Sequence, residues 1–179
     1  MCLIDKWVKK NSKKKYDKNG NLAKAGKINK KILNKALESF WDKQPYIKST
    51  SIQKITSYDV SDFNPLFVQG LSLEDGAATL TEYTAKIIYG YIFFAYDEVV
   101  KVILCGGGRK NKFLFKRIKE NFNNIPVELI DDYGVDGDFI ESQAFAYLAI
   151  RSYLSLPISF PKTTGCIKPC TGGKLAKDY

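Results

Sequence analysis

The joint Val102-Ile103-Leu104-Cys105-Gly106-Gly107-Gly108-Arg109-Lys110-Asn111 constrains this chain more than any other stretch. An apolar run meets three consecutive glycines, and Lys112-Phe113-Leu114-Phe115-Lys116-Arg117-Ile118 follows with helical spacing. Glycine loses more backbone entropy on ordering than any other residue, so three in a row mark backbone that bends sharply or lies against something. A strand, a glycine turn and a helix N-terminus present free N–H groups and partial positive charge, which suits a phosphate. An ordinary strand–helix turn needs only one glycine. A positive φ is expected at Gly107. The joint lacks G-x-x-x-x-G-K-[ST], so it is not a P-loop.

Around this joint the pattern reads as an α/β layer fold. A capping-box-like Ser72-Leu73-Glu74-Asp75 opens a helix with Leu80, Tyr83, Ile87, Ile88 and Tyr91 on one face. Glu98–Leu104 is predicted as a strand, Asn111–Phe122 as a helix and Val127–Ile130 as a second strand. Asp131–Gly137 reads as a loop. A last helix begins near Asp138 and turns Ile140, Ala144, Phe145, Leu148 and Ala149 inward. Val99, Val100, Val102, Ile103 and Leu104 are apolar on both strand faces, as in a central strand covered on both sides. Two strands make a thin sheet where five or six are usual, so the sheet is expected to be incomplete, with an unpaired edge that favours aggregation.

The N-terminal part is helical and lysine-rich. Leu3, Ile4, Trp7 and Val8 form an amphipathic stripe, Tyr16-Asp17-Lys18-Asn19-Gly20 is turn chemistry, and Asn29 caps a helix carrying Ile32, Leu33, Ala36, Leu37 and Phe40. From Asp42 to Gly70, with Pro45 and Pro65, the pattern is mostly loop with at most a short helix. The chain thus reads as one partial domain over 1–179: a lysine-rich helical segment 1–40, a glycine-turn α/β segment 72–155 and a loop-rich tail 156–179.

The net charge is +9, but it is unevenly placed. Residues 1–35 hold twelve of the 28 basic residues and two of the 19 acids, so they carry +10 and the rest −1. The basic segment is lysine with few aromatics, unlike a base-reading surface, so it reads as a solvated helix face and argues against nucleic acid. There is no histidine, which removes Ser/His and Cys/His pairs and any zinc site that needs imidazole. Cys2, Cys105, Cys166 and Cys170 read as free thiols, and no metal site is expected. The apolar runs are too short to span a bilayer and no secretory signal is seen, so a cytoplasmic protein without membrane contact is expected.

The run Cys105–Asn111 and the later Asp136-Gly137-Asp138-Phe139-Ile140-Glu141-Ser142-Gln143-Ala144-Phe145-Ala146-Tyr147-Leu148-Ala149 resemble the C-terminal part of the anhydro-N-acetylmuramic acid kinase family. That family shows a CGGGxxN turn, a D-G-D-x-x-E-x-x-A-F-A-x-L-A helix and a P-x-x-T-G-A tail, the last similar to Pro161-Lys162-Thr163-Thr164-Gly165-Cys166. Leu3–Trp7, Tyr16–Gly20 and Lys48-Ser49-Thr50 follow the family order, so the resemblance covers the whole chain. It implies the sugar-kinase, Hsp70 and actin-like ATPase fold, of which this chain would be an incomplete second RNase H-like lobe. It implies ATP and Mg2+ as cofactors, a sugar substrate, and ring opening with phosphorylation at O6 in cell-wall recycling. A homodimer is allowed by the family.

By the same resemblance, Gly106, Gly107 and Gly108 match the nucleotide-contacting turn, Asn111 the polar residue after it, and Glu141 a glutamate near the sugar cleft that holds a sugar hydroxyl or orients water. From the residues alone, Glu141 is an acid in a helix's first turn. The apolar neighbours on that helix would set it at the border of core and cleft. Asp136 and Asp138 read as N-cap and first-turn acids. The family's G-T-S-x-D-G loop and its D-T-G-P-G-N motif, whose aspartate is the catalytic base, are not found here, and Ser51-Ile52-Gln53 stand where the family has G-R-E. The chain is therefore expected to be a C-terminal fragment, inactive alone and completed by a separately encoded N-terminal half if one exists. Two other classes remain open: a basic interaction or nucleic-acid module using residues 1–35, and a stand-alone nucleotide-binding α/β protein.

Overall fold

The computed structural model describes residues 2–43, 63–96 and 98–176. Pro45, Lys48-Ser49-Thr50 and Ser51-Ile52-Gln53 lie outside the described residues. Helix α4 (Leu73–Ala95) is the axis of the fold. Its N-terminus is set by Ser72, whose hydroxyl accepts the Asp75 N–H at 3.1 Å. Ala77, Ala78, Thr79, Leu80 and Thr81 are fully buried, so this helix is covered all round rather than along one stripe. Its threonines satisfy themselves: Thr79, Thr81 and Thr84 each donate to the carbonyl four residues earlier, at 2.8 Å.

Helices α1 (Cys2–Asn11), α2 (Asn21–Ala25) and α3 (Lys30–Asp42) pack along α4. The expected stripe of α1 is buried at Leu3, Ile4, Trp7 and Val8. Trp7 donates its indole N–H to the Leu73 carbonyl at 2.9 Å, and its ring lies so close to Gly76 that a Cβ there would be 2.4 Å from it. Trp41 fills the same role at Gly90, where a Cβ would be 2.5 Å away. The Asp17 carboxylate accepts the Leu22 and Ala23 N–H groups at 2.8 and 3.0 Å, and Asn29 caps α3 by accepting from Ile32. A short 3-10 helix, Pro65–Val68, adds Val68 to this cluster.

A second cluster joins Ala85 of α4 to β1 (Val102–Leu104), α5 (Lys112–Phe122) and β2 (Val127–Leu129). The strands pair in parallel with Val102 opposite Val127 and Leu104 opposite Leu129, and α5 is the crossover between them. Glu82 of α4, 3% exposed, receives Arg117 Nε of α5 at 2.5 Å.

Two expectations are corrected. The strand begins at Val102, not Glu98, and it is not covered on both faces: Val100 is 76% exposed and Ile103 44%, because the apolar cluster among the described residues, built mainly from α4 and α5, takes in Val102 and Leu104 but not Val100 or Ile103. The last helix, α6 (Ile140–Tyr153), does not turn Ile140, Ala144, Phe145, Leu148 and Ala149 inward. None of its residues is buried, since neither core cluster reaches it. After α6, the tail folds back through Arg151 Nε to the Pro157 carbonyl at 2.7 Å, the short α7 (Pro161–Thr164) and a bridge between Ser159 and Cys170.

Candidate functional site

The chain leaves β1 through Cys105 into Gly106, whose φ of 74° and ψ of 176° are essentially reserved for glycine. The positive φ therefore falls at Gly106 and not, as expected, at Gly107. A Cβ at either Gly106 or Gly107 would meet nothing within 4 Å, so this backbone faces open space. A 3-10 turn, Gly107–Lys110, then delivers the chain to α5, whose N-cap is Asn111.

Asn111 is 2% exposed, and its Oδ1 accepts the Leu114 N–H at 2.9 Å. Its Nδ2 is a buried donor without a partner among the described residues. The Asn19-Gly20 turn presses on it: a Cβ at Gly20 would be 2.2 Å from Asn111 Oδ1. Asn111 thus stands behind the glycine turn and fixes the start of α5, while Gly106 and Gly107 form the open front.

Arg109, inside the turn, is the residue that sequence reading passed over. Its side chain is 5% exposed, with carboxylates and a carbonyl around the guanidinium. Nε and Nη2 grip Asp131 at 2.6 and 2.8 Å, Nη1 reaches Asp138 at 2.6 Å and the Gly106 carbonyl at 3.0 Å, and Nη2 lies 3.5 Å from Asp136. Lys110 shares Asp138. The Gly106 N–H also donates to the Gly137 carbonyl at 3.1 Å, so the turn and the 131–138 loop are joined by backbone as well. Gly137 is required by this packing, since a Cβ there would be 2.4 Å from Arg109 Nε.

Asp138 is therefore not a simple first-turn acid: its carboxylate is spent on Arg109 and Lys110. Asp136 accepts the Asp138 N–H at 2.9 Å and faces Arg109. Hydrogen bonds from Arg109 hold the Asp131 carboxyl down at about 2, and those from Lys110 and then Arg109 lower Asp138. The guanidinium is raised in turn, first by Asp131 and then by Asp138. The signal that could have revealed this was an arginine beside the glycines and acids at 131, 132, 136 and 138 after the second strand.

Glu141, in the first turn of α6, is exposed. The core border expected beside it is not there, because Ile140, Ala144, Phe145 and Leu148 are themselves unburied. The clamp on Asp138 nevertheless ties the lead-in to Glu141 to the glycine turn. Among the described residues no group of three or more His, Cys, Asp or Glu is arranged to hold a metal ion. Cys105, Cys166 and Cys170 are free thiols. No described helix is long and apolar enough to cross a membrane.

These features define an α/β protein in which a parallel strand pair and its crossover helix present an open, clamped glycine turn. The profile described as anhydro-N-acetylmuramic acid kinase matches residues 1–177, and the chain belongs to that family. It is 48% identical over 183 residues to a protein of Pelagibacter ubique named anhydro-N-acetylmuramic acid kinase, covering 99% of this chain and 47% of that one. Proteins with the same name from Zymomonas mobilis and Caulobacter vibrioides are 37% and 36% identical, over 97% of this chain and 45% and 44% of theirs. The chain spans about half the length of the curated relatives it matches. Because the match includes the lysine-rich segment, a separate nucleic-acid module there is not favoured.

Proposed function

We propose that residues 1–179 are the nucleotide-facing part of an anhydro-N-acetylmuramic acid kinase, an enzyme that opens the 1,6-anhydro ring with water and phosphorylates the sugar at O6. One observation carries this reading: the open turn at Gly106 and Gly107, mounted between β1 and the capped N-terminus of α5, in a chain matched along its length by that family. The turn fits a nucleotide phosphate, because nothing stands within 4 Å of where a Cβ would be at either glycine. Gly107 and Gly108 would offer backbone N–H groups to phosphate oxygens. Gly106, whose own N–H is bound to the Gly137 carbonyl, would form the open bend beneath them, and Asn111 would keep the helix N-terminus fixed behind them. ATP supplies the phosphoryl group when bound. Mg2+ would arrive with its phosphates, and no ligand from the described residues is assigned to it.

Glu141 is proposed to hold the sugar or the attacking water through charge-assisted hydrogen bonds. The bare apolar face of α6 is proposed to seat the part of the relatives' length that this chain does not span, completing the second lobe of a sugar-kinase-like fold. A polypeptide of residues 1–179 alone is then expected to give no turnover, because the motif carrying the family's catalytic aspartate is not in this sequence. The test mixes it with the remaining part of the Pelagibacter ubique relative, ATP, Mg2+ and anhydro-N-acetylmuramic acid, and assays for the 6-phosphate. Product should form only in the mixture, and Glu141→Gln should lower turnover at least about ten-fold, about 1.4 kcal/mol of transition-state stabilisation. Turnover by residues 1–179 alone would overturn the half-enzyme reading, and unchanged turnover in the variant would remove Glu141 from the site.

A further inference from the structure

We propose that Arg109 is a positioning residue for the glycine turn: it ties the turn to the 131–138 loop and screens three of that loop's four carboxylates, those of Asp131, Asp136 and Asp138, from an anion held at Gly106 and Gly107. The proposal rests on the nucleotide reading above and adds a residue and a charge mechanism to it.

The geometry is specific. A guanidinium offers five N–H donors in a rigid plane, and here each Nη and the Nε has an acceptor on the turn or the loop. The bond to the Gly106 carbonyl brings the guanidinium onto the turn itself, at a residue whose backbone angles only glycine tolerates, and the remaining donors are spent on the carboxylates. A loop carrying Asp131, Asp136 and Asp138 is a poor neighbour for a phosphate. With Arg109 and Lys110 in place these three carboxylates are left with a single net negative charge, and the guanidinium bridges Asp131 and Asp138 to the Gly106 carbonyl of the turn. Without Arg109 the loop would present Asp131 and Asp136 bare beside the turn, with only Lys110 left on Asp138, and the carboxylates would raise one another's proton affinity. The other titratable groups of this region are engaged elsewhere: Asp132 accepts the Leu129 N–H at 3.1 Å, and Tyr133 and Lys101 both meet Glu128. Glu141, the next acid along the chain, faces solvent.

The experiment titrates ATP with Mg2+ into the 179-residue chain by calorimetry at about pH 8 and about pH 5, a range that brackets carboxylates of raised pKa. Arg109→Gln should bind at least about ten-fold more weakly than the parent at the higher pH, and the ratio should narrow at the lower pH as the bared carboxylates take up protons. Arg109→Lys, which keeps charge but loses the fork, should fall between them with the same narrowing. Removing both sides together, in Arg109→Gln with Asp131→Asn and Asp138→Asn, should recover affinity to within about three-fold of the parent. A purely structural arginine would give a loss independent of pH and not relieved by the triple variant, and that result overturns the proposal. Parent-like affinity in Arg109→Gln, or in Arg109→Lys should the first variant not fold, overturns it while leaving the nucleotide reading intact. A parent chain that binds no ATP defeats the nucleotide reading, and this proposal with it.

Discussion

Helices α4 and α6 both carry rows of large apolar residues, and they end in opposite environments. In α4, five consecutive positions, Ala77 to Thr81, are fully buried beneath helices from elsewhere in the chain. In α6 no residue is buried, and Phe145, Ile150 and Tyr153 are 65, 60 and 75% exposed. Trp7, Trp41 and Arg117 reach α4 from α1, α3 and α5, whereas α6 is held at its lead-in by Asp138 and near its end by the returning tail. Apolar periodicity states that a face will be covered; it does not state that the same stretch of chain provides the cover.

The sharpest way to break the comparison is to truncate one residue on each helix. Leu80→Ala in α4 should destabilise the chain by about 2–5 kcal/mol in denaturant unfolding, and Phe145→Ala in α6 by no more than about 0.5 kcal/mol. Equal losses would mean that α6 is packed in solution. Next in size, Gly76→Ala should cost about 1–3 kcal/mol, because the added methyl enters the space of the Trp7 ring and overpacks it. A neutral result there would show that α1 can shift away from α4.

Acid should separate the two helices without mutation. The folded pKa of Asp131 is depressed to about 2, below the ordinary carboxylate value near 3.9, so its contribution is fully present above that ordinary value and is lost as pH falls through about 2. Between about pH 4 and pH 2 the clamp on the α6 lead-in should loosen, read as faster proteolysis within residues 131–153, and Asp131→Asn should flatten that response. An unchanged cleavage rate across this window would show that the clamp does not restrain α6. The smallest effect on stability is expected from Phe145→Ser with Ile150→Asn. These should leave the melting transition in place while lowering self-association in light scattering. Undiminished association would move the sticky surface elsewhere, with the edge of β1 that is unpaired among the described residues the next place to test.

Much of the fold was legible because its signals are local. The α1 stripe, the caps at Asn29 and Ser72 and the two strands all depend on residues within a turn or two of one another. What escaped depends on partners far along the chain. Gly76 and Gly90 lie inside a helix, where glycine is unfavourable, and only the distant indoles of Trp7 and Trp41 explain them. The glycine turn itself was read as a candidate site, but its clamp was not, since Arg109 finds Asp131 and Asp138 only once β2 has paired with β1. Val100 and Ile103 carry the opposite lesson: apolar character on both strand faces predicts double cover, and both residues are exposed.

The two tryptophans, each seated on a glycine of α4, give the molecule a pair of built-in optical reporters. Trp7, buried with its indole N–H bound to the Leu73 carbonyl, watches the start of that helix, and Trp41, against Gly90 and edge-on to Phe94 at 5.7 Å, watches its far end. Single Trp→Phe versions would let fluorescence follow each end separately during unfolding. Coincident curves would mark α4 as one cooperative rod, and an earlier change at Trp41 would mean that the helix frays from the end nearest the sheet.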